Sequence, residues 1–162
     1  DLNFNREIKE TENSIKKNAF IKADFIFNKY GVNCFSDDSG LQVDVLDNQP
    51  GVRSARYAGE NASSNDNVDL LLENLKDIKN RRAKFITFIC LIINSDVIFF
   101  EGMIRGNITH TRRGDNGFGY DSIFVPDGYK KTFAEMPFEY KNSISHRAIA
   151  IKKLVKYLNS LN

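Results

Sequence analysis

Between Ala83 and Glu101 the chain carries two runs, FITFICLIIN and VIFFE, rich in β-branched and aromatic residues and broken at Ser95-Asp96. Such runs fit buried strands, and two of them separated by a short polar pair predict a β-hairpin. The uncharged stretch from Phe85 to Ser95 has 11 residues, too few to span a bilayer. The segment Gly102 to Thr111 reads as a further strand, with Gly106 at a bend or bulge. A strand from Asp121 to Pro126, a turn at Asp127-Gly128 and the flanking helices complete the expected α/β fold, built on a long twisted mixed sheet.

Three helices are expected beside it. Ile15, Ala19, Ala23, Ile26, Phe27 and Tyr30 fall on one helical face between Thr11 and Tyr30, and Gly31 supplies a C-terminal stop. Ser63 or Ser64 can cap a second helix bearing Val68, Leu71, Leu72, Leu75 and Ile78. A third is expected from about Ile144 to Leu161, capped by Ser143 or Ser145, with Ala148, Ile151, Leu154, Val155 and Leu158 inward.

The stretch SDDSGLQVDVLDNQPGVRSARYAGE, Ser36 to Glu60, sets Asp37 and Asp38 in a Ser/Gly frame between the apolar run Val32 to Phe35 and the alternating Leu41, Val43, Val45. It reads as strand, tight acidic loop, strand. An acidic pair held this way can present oxygen ligands to Mg²⁺ or a base to a water; Asp, Ser and Gly also make an ordinary polar turn. RRGDNGFGY, Arg112 to Tyr120, has three glycines in nine residues. It suits either a flexible connection or a loop wrapped on a flat ligand, with aromatic faces from Phe118 and Tyr120 and a carboxylate from Asp121. His146 and Arg147 fall in the first turn of the last helix, a poor place for cations unless an anion or a carbonyl oxygen lies near. With Lys141 they form a plausible ligand-reading cluster.

Composition narrows the classes. The 162 residues suffice for one domain, and no linker or repeat marks a boundary within 1–162. A net charge of +2 from 23 basic and 21 acidic residues leaves no footprint of a dedicated nucleic-acid binder. Cys34 and Cys90 sit in apolar runs, as buried reduced thiols would, and two Cys with two His would need carboxylates to complete a zinc site. No signal-peptide pattern opens the chain, so a cytoplasmic protein without a membrane partner is expected.

Three motifs in order, SDDSG at Ser36 to Gly40, GDNGFGYDSIF at Gly114 to Phe124 and SISHRA at Ser143 to Ala148, together resemble the inosine triphosphate pyrophosphatase family, from about Glu10 to the C-terminus. The resemblance implies two lobes around a nucleotide-binding cleft and Mg²⁺-dependent hydrolysis of non-standard purine nucleoside triphosphates to monophosphate and pyrophosphate. It also implies a homodimer with no stable nucleic-acid partner. By the same resemblance Glu10 and Asp38 hold the metal, Asp38 orients or deprotonates the attacking water, and Lys22 faces the phosphates. Ser39, Phe118, Gly119, Tyr120, Asp121, Lys141, His146 and Arg147 bind the substrate. Asp37 is left as either a metal ligand or a structural acceptor, and Arg56 as a structural or rim group. Lys17 departs from the pattern, in which Glu is usual. The family's opening strand, phosphate loop and helix, with a Ser/Thr-x-Asn-x-x-Lys signature, are not found near the start, so the chain is expected to be a piece of a longer protein. Two rivals remain: a purine-nucleotide-binding module without catalysis, and a single-strand binder using Phe118, Tyr120 and nearby arginines.

Overall fold

The computed structural model describes Ile8 and residues 13–161. Helix α1, Ile15–Tyr30, begins where the Ser14 hydroxyl accepts from the Lys17 amide and ends on Gly31 in the left-handed conformation. Strand β1, Cys34–Val43, is followed by two short 3₁₀ turns and by helix α2, Ser64–Asn74. Ser63 caps α2 in a reciprocal box with Asp66, which satisfies two otherwise orphaned amides. Strands β2, Arg82–Ile93, and β3, Asp96–Ile108, follow. After a 3₁₀ turn at Asp121–Ile123 come the short strand β4, Phe124–Pro126, and helices α3, Phe138–Ile144, and α4, His146–Asn159.

The strands lie in the order β1-β2-β3-β4, and every pairing among the described residues is antiparallel. β2 and β3 form the predicted hairpin, with the turn one residue earlier than expected. Ile93 pairs with Asp96, and Asn94 and Ser95 between them both have positive φ, 51° and 71°. Two positive φ values suit the right-handed twist of the flanking strands. β3 is also continuous through Gly102, so the separate strand expected from there belongs to it. The strand expected over Asp121 to Pro126 is half 3₁₀ turn and half β4.

Alternation along the strands divides the interior. Cys90 and Ile92 of β2 face α1, where they meet Ala19 and Ala23. Ile89 and Leu91 face α4 and meet Ala150 and Leu154. A third cluster joins Leu41, Val43 and Phe85 to Leu71 and Leu75 of the α2 region and to Phe124 and Phe133. Cys34 and Cys90 are free, and burial pushes the Cys90 thiol up to about 11. The last helix corrects two expectations. It starts at His146 and not at Ile144: Ser145, one of the two caps expected, ends a separate helix α3 and caps α4 by accepting from the Ala148 amide at 3.2 Å. Its inward face is Ala150, Leu154, Tyr157 and Leu158, while Ile151 and Val155 are exposed.

One buried cation escaped notice in the sequence. Arg81 donates to the carbonyls of Leu75, Ile108 and Thr109, tying the end of α2 to the end of β3. Desolvation lowers its guanidinium from the ordinary value. Two of its three acceptors, Ile108 and Thr109, lie 27 and 28 residues further along the chain.

Candidate active site

The acidic motif is not a loop. Asp37 and Asp38 lie in the middle of β1, and all ten residues of that strand pair in register with β2, Asp37 opposite Ile89 and Asp38 opposite Phe88. Cross-strand pairing overrides the turn preference of Asp, Ser and Gly. Because strand side chains alternate, the two carboxylates point to opposite faces. Asp38 shares the α1 face with Ser36, whose hydroxyl donates to the Ala19 carbonyl, and accepts from Lys22 Nζ at 3.0 Å. Asp37 shares the α4 face and accepts from Arg147 Nε at 3.1 Å. Arg147 Nη2 also reaches Ser39 Oγ at 3.4 Å, and Ser39 is hydrogen-bonded to Thr87 at 2.6 Å. Gly40 is required by proximity: a Cβ there would lie 2.3 Å from the Gly51 carbonyl oxygen and 2.9 Å from Ile15 Cδ1.

The glycine-rich segment is held at its base. Arg112 pairs with Asp69 at 2.7 Å and donates to the Asn65 carbonyl, while Arg113 reaches Glu135 at 3.4 Å and the Lys130 carbonyl at 3.1 Å. These arginines are anchors of the loop. Within it the Phe118 amide donates to Asp121 Oδ2 at 2.9 Å, and the same oxygen accepts from Lys141 Nζ in a buried ion pair. Lys141 Nζ also lies 4.6 Å from the centre of the Phe118 ring. Phe118 itself is 70% exposed and presents a free aromatic face. Tyr120, expected to offer another, is buried and donates its hydroxyl to the Ser54 carbonyl at 3.0 Å. Burial raises its phenol above the ordinary range.

Arg147 and His146 open α4. His146 is not the cation the sequence suggested: burial first, then the charges of Arg147 and Lys141, push its imidazole down to about 3. A neutral ring at a helix N-terminus meets no dipole penalty. The ring stacks on Phe85, centroids 4.8 Å apart and planes 9° from parallel. Gly102 of β3 makes room for this helix start, since a Cβ there would lie 1.9 Å from the His146 carbonyl oxygen and 2.6 Å from the Ala150 nitrogen.

These groups share one cleft of about 840 Å³. Lys22, Asp38, Ser39, Phe118, Gly119, Tyr120, Asp121, Lys141, His146 and Arg147 all line it, although the sequence separates the first from the last by 125 positions, 147 − 22. Glu10 lies outside the described residues. Arg56 is not among the lining residues and pairs with Glu60 at 3.7 Å. Phe85, Ser54 and Asn67 also line the cleft. Their alternating or helical positions made them look like core or surface, and nothing local in the sequence marked them.

A family model for the Ham1 family matches residues 1–157. The chain belongs to the Ham1 family. The dITP/XTP pyrophosphatase of Flavobacterium johnsoniae is 48% identical to this Ham1-family chain over 160 residues, 99% of the chain and 83% of that protein. The protein of the same name from Aquifex aeolicus is 43% identical over 163 residues, covering 95% and 81%. Among solved structures, the Staphylococcus aureus Ham1 protein superposes with a TM-score of 0.94 at 36% identity, covering 98% of this chain and 83% of that one. A dITP/XTP pyrophosphatase from Mycobacterium abscessus gives 0.81 at 41% identity, covering 92% and 80%. The α/β architecture is thus that of Ham1 proteins.

Proposed function

We propose that this Ham1-family chain is a nucleoside triphosphate pyrophosphatase that hydrolyses non-standard purine nucleotides, inosine and xanthosine triphosphates and their deoxy forms, to monophosphate and pyrophosphate. The observation that carries the reading is the convergence of the Asp38–Lys22 pair and the Phe118–Asp121–Lys141–His146–Arg147 group on one cleft. Relatives named dITP/XTP pyrophosphatase, at 48% and 43% identity, agree with it.

Phosphoryl chemistry asks the protein for charge neutralisation, a placed water and a bound base, with little covalent help. In this reading Lys22 neutralises phosphate charge, and Asp38 orients or deprotonates the attacking water. Asp38 is suited to that task because it is fixed by strand pairing and held by Lys22 at 3.0 Å. The donor set fits Mg²⁺. Among the described residues no group of three or more His, Cys, Asp or Glu could hold a metal. Mg²⁺ requires only one or two carboxylates, with waters and substrate phosphates as its remaining ligands. Asp38 and Glu10 would be those carboxylates, and the bound ion would supply neutralisation of the phosphate oxygens. Asp37 lines the same cleft but would not join them, since its carboxylate is taken by Arg147 of α4 at 3.1 Å.

The base would stack on the exposed ring of Phe118, with Gly119, Tyr120 and Asp121 forming its wall and Lys141, His146, Arg147 and Ser39 its edge. A 6-oxo purine presents an acceptor where adenine presents an amino donor, so donors from this edge favour the former. A site built this way can reject the mismatched analogue by about 10⁴-fold. We further infer a homodimer and a cytoplasmic setting, supported by the family resemblance and by two free thiols, Cys90 buried and Cys34 partly so. No described helix is long and apolar enough to cross a membrane.

The test is a magnesium-dependent hydrolysis panel of inosine, xanthosine, guanosine and adenosine triphosphates with products resolved. Selective turnover of the first two to monophosphate and pyrophosphate supports the reading. Nucleotide binding without turnover would replace it with the non-catalytic module.

A further inference from the structure

His146 has two ring nitrogens in unlike surroundings. Nδ1 is enclosed and has no hydrogen-bond partner. Nε2 is not enclosed in this way, and the ring lines the cleft, so Nε2 is the nitrogen that meets a bound molecule. An N–H left unpaired in the interior is more costly than an unpaired acceptor, which places the imidazole proton on Nε2. The face of the ring lies on Phe85, itself buried and wedged edge-on against Phe124 with centroids 4.7 Å apart. Phe85 therefore cannot move away, and the His146 backbone is pressed on β3 at Gly102.

We propose that Phe85 is a positioning residue for base discrimination: by stacking on His146 it fixes the plane of the imidazole and presents Nε2–H to the cleft as a donor for a carbonyl oxygen of the bound base. This deepens the proposed pyrophosphatase reading and rests on it for the identity of the base. The charged groups around the ring are few. Arg147 lies on α4 itself, already paired with Asp37 of β1, and Lys141 comes from α3, paired with Asp121 of the 3₁₀ turn. β2 contributes the apolar face of Phe85 and β3 contributes Gly102. No carboxylate is hydrogen-bonded to the ring among the described residues, and burial disfavours its cationic form. An uncharged imidazole with one outward proton donates and cannot accept at that atom, so a carbonyl is welcomed and an amino group is not.

The chain has two histidines, and the exposed His110 serves as an internal standard for ¹⁵N imidazole spectra. Expected for the wild type is a protonated Nε2 and a lone-pair Nδ1 on His146, unchanged between about pH 8 and about pH 5. In Phe85→Leu the His146 ring should lose its fixed plane, so that the Nε2 and Nδ1 resonances average toward each other, and the ratio of kcat/KM for inosine over adenosine triphosphate should fall about tenfold. Titration of His146 in the wild type, or its proton on Nδ1, overturns the proposal without any variant. So does a folded Phe85→Leu protein with unchanged spectra and ratio. If the wild type turns over neither nucleotide, the pyrophosphatase reading fails alone; the positioning role is then read from the Nε2 resonance on adding inosine monophosphate, which must shift in the wild type and not in Phe85→Leu.

Discussion

Asp37 and Asp38, neighbours on β1, are partners of different helices: Asp37 accepts from Arg147 of α4 at 3.1 Å and Asp38 from Lys22 of α1 at 3.0 Å. The DDSG motif thus delivers one carboxylate to each side of the sheet, and removing either should have a different consequence. Asp38→Asn should lower kcat on inosine triphosphate by about 10²-fold or more, with thermal stability little changed. Asp37→Asn should raise KM with kcat nearly constant, because only Arg147 loses its charged partner. Steady-state kinetics of the two variants decide it. Equal loss of kcat in both would mean that the two carboxylates act together.

Lys141 and Asp121 form a buried ion pair. Lys141→Met should destabilise the fold by about 3 kcal/mol, because Asp121 is left charged in the interior. Adding Asp121→Asn should recover a large part of that loss. Urea unfolding of the single and double variants measures the coupling, and simple additivity would show that the pair contributes no special term.

Gly102→Ala places a methyl group on the backbone of α4. The helix must lift from β3, at a cost of about 1–3 kcal/mol. Since that helix opens with His146 and Arg147, KM for inosine triphosphate should rise further than the stability loss alone suggests. A variant with ordinary KM and lowered Tm would separate the packing from the site.

His146 is held down to about 3 in the fold, against the ordinary value of 6.5 for an unfolded chain. Between those values the unfolded state binds a proton that the folded state does not, so stability is intact above pH 6.5 and falls as pH drops toward 3. The slope is about 1.4 kcal/mol per pH unit. Urea unfolding at pH 7 and pH 5 should show the wild type losing about 2 kcal/mol more than His146→Gln over that interval. Matching losses would mean that the imidazole is protonated in the fold as readily as outside it.

The helical periodicities were legible at α1 and α2, as were the stop at Gly31 and the cap at Ser63, which mark ends by local chemistry; the Ser14 cap that opens α1 was not read. The acidic motif was legible as a site and misread as a loop, because its composition is that of a turn and only pairing with β2 makes it a strand. The α4 stripe failed for a related reason. Ile151 and Val155 have helical spacing too, and the close approach at Gly102 selects the narrower Ala150 and Leu154 face instead. The substrate residues carried by the family resemblance fall in one cleft, yet no local pattern announces that His146 lies on Phe85 or that Asp37 meets Arg147. Those contacts join residues far apart in the chain and are properties of the folded state.

The two-residue turn at Asn94 and Ser95 also bears on the order of folding. Its loop is among the shortest a hairpin can have, so β2 and β3 can find each other at little entropic expense, whereas β1 must close the whole connection through α2 before it pairs with β2. The long hairpin is then the platform on which the sheet assembles, and β1 is a late arrival. Substitutions at Asn94 should chiefly slow refolding, while those weakening the β1–β2 seam should chiefly hasten unfolding, a division that stopped-flow chevrons would read directly.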